Sequence, residues 1–273
     1  MSMLAAHPHG PADGLPLVLL HAFPLDARMY DRALSHLGDV PVLALDSPGF
    51  GDSPGPAEVA DAVDWAGGPS LELVARAVLA ALDARGVDRF VVAGTSIGGY
   101  VSMRLAALAP ERLSGVGLLD TKAAPDTDEA RARRERLAAD VLGPAGVSAV
   151  MPTLGGLLGP TTADRSPELV DLVAQWAGEA TPDGVAFAAR AMAERPDSLA
   201  DLRALGERGV PALVLRGVED GLASDDDALD MAEALRTEVL EVDGVGHLAP
   251  LEDPEAVGRA LRDLHERAAT AAA

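Results

Sequence analysis

"VVAGTSIGGYVSM", Val91 to Met103, decides how this chain is read. It opens as an apolar run of strand type, turns through a serine set between glycines, and continues with helical spacing. Such a corner serves as a plain small-residue turn, a phosphate-binding loop, or a mount for a nucleophile. A phosphate loop needs a Lys-Ser or Lys-Thr pair after its glycines, and none follows Gly99. Gly94-Thr95-Ser96-Ile97-Gly98 is G-x-S-x-G between a strand and a helix, the context in which a serine is held strained and outward. So sharp a turn needs small residues two before and two after the serine, and both are glycine. The helix start beyond it offers free N–H groups that favour negative charge.

Outward from this corner, apolar strand runs alternate with helices. Residues 15–23 (LPLVLLHAF), 40–46 (VPVLALD), 88–94, 113–120, 211–217 and 238–244 read as strands, with a further short strand at 3–6. Residues 26–37 read as a helix capped by Asp26, and 70–86 as an amphipathic helix capped by Ser70 and stopped at Gly86. Helices follow at 97–109, 225–236 and 254–268, while 47–56 is turn chemistry. This alternation predicts a mostly parallel sheet covered on both faces. Residues 121–208 break the rhythm with helical fragments and no strand. They are expected to form a helical cap over the sheet's C-terminal edge, where open α/β sheets bind ligands. The expected division is a core of residues 1–120 and 209–273 and a cap of 121–208.

A serine hydroxyl is a weak nucleophile without a base. Of the six histidines, His7 and His9 lie in the lead-in, His36 and His265 on helices, and His21 at a strand end before the serine. His247 sits in a loop between the last strand and the last helix, free to reach the serine. A base of this kind needs a carboxylate to fix its tautomer. Asp220, ending the strand before that of His247, is the expected partner, with Asp120 at the end of "VGLLD" its rival. Glu219 should point elsewhere, and Asp243 lies four residues before His247. The order Ser96, Asp220, His247 matches the Ser…Asp…His order of one class of catalytic triads. Developing negative charge on a carbonyl oxygen needs donors. The expected ones are the backbone N–H groups of Ile97 and of Phe23, whose ring should line the pocket.

Composition bounds the alternatives. Hydrophobic residues make up 48% and charged residues 24%, with 3% aromatic, so the core is built from Leu, Val and Ala. The net charge of −21 argues against nucleic acid and anionic membranes as partners. Absence of cysteine rules out thiolate metal sites, disulfides and a cysteine nucleophile. No signal-peptide pattern opens the chain, and no apolar run approaches the roughly 18 residues of a membrane helix. A cytoplasmic protein without cofactor or metal is expected.

"LVLLHAFPLDARMY", "LALDSPGFGDS", "VVAGTSIGGY", "LVLRGVED" and "VDGVGHLAPLEDPEAV" together resemble the α/β-hydrolase fold superfamily, most nearly bacterial 3-oxoadipate enol-lactonases and small carboxylesterases. The resemblance covers nearly the whole chain and is weakest in 121–208. It implies the α/β-hydrolase fold, a cap inserted after the family's sixth strand, and an acyl-enzyme on Ser96. The implied substrate is a small ester or lactone. Cofactor-free C–C hydrolysis, perhydrolysis or haloperoxidase chemistry by the same triad stand as alternatives, as does a hydrolase-like receptor for small molecules. The chain departs from the family pattern in places. His21-Ala22 stands where His-Gly is usual, and no proline follows in "EDGLAS". Ile97 stands where Met or Gln is common, so its bulk is expected to narrow the pocket. The family's first strand is expected to be missing, since little chain precedes Leu15.

Other motifs read as structure. "GFG" (49–51) is not completed to a dinucleotide loop, because Pro54 stands where the third glycine belongs. "SDDD" (224–227) reads as a capped helix start. "EARARRER" (129–136) reads as a solvated helix with Glu129–Arg133 and Arg131–Glu135 at i,i+4. Its alternative is that Arg131, Arg133 or Arg134 meets a substrate carboxylate. Met151, Leu154, Leu157, Trp176, Phe187 and Met192 are expected under the cap.

Overall fold

The computed structural model describes residues 4–272. In it every residue of the four central strands is buried, which is why those strands read as largely apolar runs. In chain order the elements are β1 (Ala6–His9), β2 (Leu17–Leu20), α1 (Asp31–Leu34), β3 (Val42–Leu45), α2 (Pro56–Ala62), α3 (Leu71–Asp83), β4 (Phe90–Thr95), α4 (Ile97–Leu108) and β5 (Leu113–Leu119). Five helices follow: α5 (Asp128–Val141), α6 (Pro160–Arg165), α7 (Pro167–Glu179), α8 (Pro182–Ala193) and α9 (Leu199–Glu207). The chain then closes with β6 (Ala212–Gly217), α10 (Asp225–Leu235), β7 (Val239–Val242), α11 (Ala249–Glu252) and α12 (Pro254–Ala272).

The seven strands described form one sheet in the order β1-β3-β2-β4-β5-β6-β7. Only the edge strand β1 runs antiparallel, with Ala6 opposite Leu45 and His9 opposite Val42. Successive residues feed opposite layers, as the period of two requires. Val18, Leu20, Val92, Val116 and Leu118 face the layer of α3, α4, α9 and α10. Leu17, Leu19, Val91, Ala93 and Leu119 face the layer of α1 and α12.

Several expectations shift in detail. The short lead-in strand lies at Ala6–His9 rather than 3–6, and Met3 falls outside the described residues. There His7 Nε2 and Asp46 Oδ2, 2.8 Å apart, tie β1 to the end of β3. The helix expected over 26–37 is a 3-10 turn, Ala27–Tyr30, running into the single turn of α1, with Asp26 accepting from the Arg28 N–H. Helix α2 was hidden by the turn residues before it; it starts on Pro56, which suits a first helical position.

All helices between β5 and β6 are not alike. Helix α9 packs on α4 and α10, in the layer that covers the sheet. Helices α5 to α8 pack mainly on each other and on the 3-10 segment Gly146–Thr153. They meet the rest of the chain at defined points. The Thr181 N–H and hydroxyl both donate to the Gly49 carbonyl, at 3.2 and 2.9 Å. Arg28 joins Asp26 to Glu179 and stacks 5.0 Å from the Trp176 ring centroid. The i,i+4 pairs expected in α5 are not the ones formed. Arg131 pairs with Asp128 and donates to the Ala193 carbonyl, and Glu135 takes Arg190 of α8. Arg131 keeps a partner three residues back on its own helix, and packing of α5 on α8 supplies the other two.

Candidate active site

Strand β4 and helix α4 meet at Ser96, which adopts φ 55° and ψ −115°. A non-glycine residue there carries strain of roughly 1–3 kcal/mol and persists only when its surroundings hold it. The surroundings are explicit. The Ser96 N–H donates to the Leu119 carbonyl at 3.0 Å, and its own carbonyl accepts from the Thr121 hydroxyl at 2.7 Å. The glycines are required by close approach. A Cβ on Gly94 would collide with the Gly98 backbone, and one on Gly98 with the Leu20 carbonyl. Below the turn, the buried Tyr30 hydroxyl donates to the Leu20 carbonyl at 2.9 Å and meets Thr95 Oγ1 at 2.9 Å. The ends of β2 and β4 are thereby locked side by side.

The loop after β2 turns at Ala22–Leu25, closed by the Leu25 N–H on the Ala22 carbonyl at 2.9 Å, with a cis peptide between Phe23 and Pro24. His21 supports this loop from inside. Its Nε2 accepts the Ser47 N–H at 2.8 Å, which leaves the proton on Nδ1 to donate to the Ala22 carbonyl at 3.0 Å. Burial lowers its pKa, against the pull of that carbonyl and of Asp46 and Asp26. The Ala22 methyl is fully buried in the core rather than turned to the cavity. The Ile97 N–H, first in α4, has no carbonyl one turn back. Among the described residues, neither it nor the Phe23 N–H is bonded to a protein acceptor.

At the ends of β5 and β6 the two strand-end aspartates part ways. Asp220 Oδ2 lies 2.8 Å from His247 Nδ1, and its Oδ1 accepts from the Leu222 and Ala223 N–H groups at 2.7 and 3.3 Å. Burial alone would raise the Asp220 carboxyl. The His247 bond and charge and the two N–H bonds outweigh burial and hold it below its ordinary value. Asp120, the rival, sends its carboxylate to the Gly217 and Ala249 N–H groups at 2.7 and 3.3 Å. Burial pushes its pKa well up, with Asp220 and Glu252 adding repulsion against those two bonds. Asp120 ties β5, β6 and α11 together and does not bond His247. Glu219 turns to the Thr161 N–H and hydroxyl, at 2.9 and 2.5 Å.

The His247 loop itself is gripped by a residue that the sequence reading passed over. Glu252 accepts the N–H groups of Gly246 and Leu248 at 2.9 and 3.0 Å, one on each side of His247. It also takes the Gly159 N–H at 2.8 Å, from the turn before α6. The His247 N–H donates to the Leu157 carbonyl at 3.0 Å.

Ser96 and His247 line one cavity of about 450 Å³, together with Phe23, Tyr100, Leu157 and Met192. That size suits a small ligand. Two of the six residues expected under the cap are therefore on its wall. Met151 and Leu154 pack at the edge of the core, Phe187 is buried within it, and Trp176 packs on the other layer. The expected narrowing of the pocket by Ile97 is corrected: its side chain is buried in the core, and Tyr100, one helical turn on, lines the cavity instead. The i,i+4 relation to Ser96 was a signal for Tyr100 present in the sequence. Of the three α5 arginines, Arg133 and Arg134 border the cavity and Arg131 does not. Arg134 and the buried Arg195 both bond the Asp126 carboxylate, and the Arg195 guanidinium stacks 4.3 Å from the Tyr100 ring centroid.

A family model described as the alpha/beta hydrolase family matches residues 17–260, and the chain belongs to that family and is a hydrolase. Among curated proteins it is 28% identical to the lipase LipV of Mycobacterium tuberculosis, covering 93% of this chain and 94% of that protein. It is 26% identical to 3-oxoadipate enol-lactonase 2 of Acinetobacter baylyi, over 94% and 91%. Among solved structures it resembles a thermophilic esterase from Thermogutta terrifontis, solved with malate bound. That match has a TM-score of 0.87 and 32% identity, covering 97% of this chain and 93% of the other. No helix among the described residues is long and apolar enough to cross a membrane.

Proposed function

We propose that the chain is a serine hydrolase that cleaves a small carboxylic ester or lactone through an acyl-enzyme on Ser96. The observation that carries this reading is the His247 Nδ1 to Asp220 Oδ2 bond of 2.8 Å beside a strained Ser96 on the same cavity. With Nδ1–H donating to Asp220, the imidazole keeps a free Nε2 lone pair. Nε2 takes the Ser96 proton as Oγ attacks the carbonyl carbon. The N–H groups of Ile97 and Phe23 hold the oxygen that gains charge. His247 then hands its proton to the departing alkoxide. Water, deprotonated by the same nitrogen, attacks the acyl carbon and regenerates Ser96 as the acid leaves. Asp220 stays ionised throughout and stabilises the imidazolium.

Helices α5 to α8 form the cap in this reading, and α9 is the return crossover to β6 rather than part of the cap. Lipase and enol-lactonase relatives matched over most of the chain favour ester or lactone hydrolysis over C–C cleavage, perhydrolysis or a receptor role. No cofactor or metal enters the steps, and a cytoplasmic location is expected on the sequence grounds given above. A fluorophosphonate probe tests the core of the proposal. It should label the wild type and not Ser96→Ala, with p-nitrophenyl acetate hydrolysis lost in the same variant. Equal labelling of both would refute the assignment.

A further inference from the structure

Of the 22 lysines and arginines in the sequence only one, Lys122, is a lysine, and it lines the cavity of Ser96 and His247. Its position follows from the fold. Thr121 bonds the carbonyl of Ser96, so Lys122 leaves the end of β5 one residue from a direct contact with the serine. Its ammonium donates to the Leu222 carbonyl at 3.3 Å and has no carboxylate within salt-bridge distance among the described residues. On its other side lies the acidic start of α10, where Asp225 pairs with Arg216 and Asp227 with Ser224.

The cavity wall is cationic in a chain whose net charge is −21. Lys122, Arg133 and Arg134 line it against a single lining carboxylate, Asp126. Asp126 is held low in pKa: burial would raise it, but bonds to Arg134 and Arg195 outweigh that. Its charge is thus already matched by two guanidiniums, one of which is not on the wall. Arg133 has no carboxylate within salt-bridge distance among the described residues. An acidic protein repels anions at long range, so a locally positive cavity reverses the sign only at close quarters, where a bound group feels it unscreened. A lysine is suited to such a site because its compact charge rides on a flexible stem and meets one carboxylate without needing a planar, two-pronged fit.

We propose that the site takes esters or lactones carrying a second, ionised carboxylate, and that Lys122, assisted by Arg133, holds that carboxylate while the scissile carbonyl lies on Ser96. The inference rests on the serine-hydrolase reading, and Lys122 is a specificity residue that leaves the bond chemistry unchanged. The test compares mono-p-nitrophenyl esters of glutarate through suberate with neutral p-nitrophenyl alkanoates of equal chain length, spontaneous hydrolysis subtracted. The expected result is a ratio of kcat/KM, anionic over neutral, that falls at least tenfold in Lys122→Gln and further in Lys122→Glu. Lys122→Arg should keep most of it. A ratio within twofold of wild type in Lys122→Gln overturns the proposal. A second arm needs no turnover: calorimetric titration of the free dicarboxylates should show binding that Lys122→Glu loses, with melting temperature confirming that the variant folds. Equal binding by wild type and Lys122→Glu overturns it as well. Should fluorophosphonate fail to label Ser96 while Lys122→Glu still abolishes dicarboxylate binding, the hydrolase reading falls and the anion site stands.

Discussion

Glu252 offers the sharpest test of how the site is held. Its two carboxylate oxygens receive three backbone N–H groups, from Gly159, Gly246 and Leu248. Bonds to a charged acceptor contribute about 1.5–3 kcal/mol each, and a donor left without a partner costs about 1–3 kcal/mol. In Glu252→Gln one oxygen becomes an NH₂ and must face an N–H. The favourable placement keeps the oxygen on Gly159 and Gly246 and strands Leu248, next to His247. The site is half-buried, so water replaces part of the loss, and about 2 kcal/mol is expected. At about 2–4 °C per kcal/mol, melting temperature should fall by about 4–8 °C. A loop shift of about 1 Å at the base costs on the order of 100-fold in rate, so kcat for a p-nitrophenyl ester should fall about 10- to 100-fold with KM little changed. Glu219→Gln is the control. It loosens the same turn through Thr161 without touching Gly246 or Leu248, so its melting temperature should drop while kcat stays within about twofold, the scatter of the assay. If Glu252→Gln melts lower yet keeps wild-type kcat, or matches Glu219→Gln in both readouts, Glu252 secures only the turn before α6 and the coupling to His247 is wrong.

Asp220→Asn should lower kcat by on the order of 10⁴-fold. The Leu222 and Ala223 N–H groups keep the amide oxygen, so the NH₂ faces His247 Nδ1 and moves the ring proton to Nε2, where it blocks proton uptake from Ser96. A loss below tenfold in stopped-flow or steady-state assays would contradict that tautomer argument. Asp126→Asn should destabilise by about 3 kcal/mol at pH 7, because two guanidiniums lose a buried anion. The folded-state pKa of Asp126 is depressed, so its contribution is complete above the ordinary carboxylate value near 4. It is lost as pH falls through the depressed value. Urea denaturation from pH 7 down to pH 3 should show the gap between wild type and variant closing at the acid end. A gap that stays constant over that range would mean that Asp126 is not ionised in the native state.

Much of the site was legible because each of its parts sits where a strand ends. Strand ends are visible as an apolar run meeting turn residues, and in a parallel sheet all these ends fall on one edge. The pattern alone therefore places Ser96, Asp220 and His247 on one edge, together with the loop carrying Phe23. The core layers followed from the same signal, since unbroken apolar strands leave no face for water. Boundaries moved by one to several residues, and α2 and α11 were missed because each is short and carries a proline in its first turn inside turn-rich sequence.

What the sequence could not reveal is which of several chemically equivalent groups a fold will use. Asp120 and Asp220 are both buried aspartates at adjoining strand ends, and pattern alone ranks them only by order in the chain. The backbone separates them. Asp120 takes left-handed φ 45° and its carboxylate goes to N–H groups of β6 and α11, while Asp220 bonds the two N–H groups after it and keeps one oxygen for His247. The same holds on α5. Arg131, Arg133 and Arg134 are neighbours on one helix, yet only tertiary contacts with Ala193, Asp126 and Met192 decide that Arg131 is tied down outside the cavity and Arg134 on its wall. Nothing in the local pattern marks Glu252, whose three donors come from residues 4, 6 and 93 positions away. Local pattern specifies what each residue is able to do. Selection among able residues is made by backbone donors and charges that arrive from distant sequence, and at this site they select the carboxylate that orients His247 and the cations left facing the cavity.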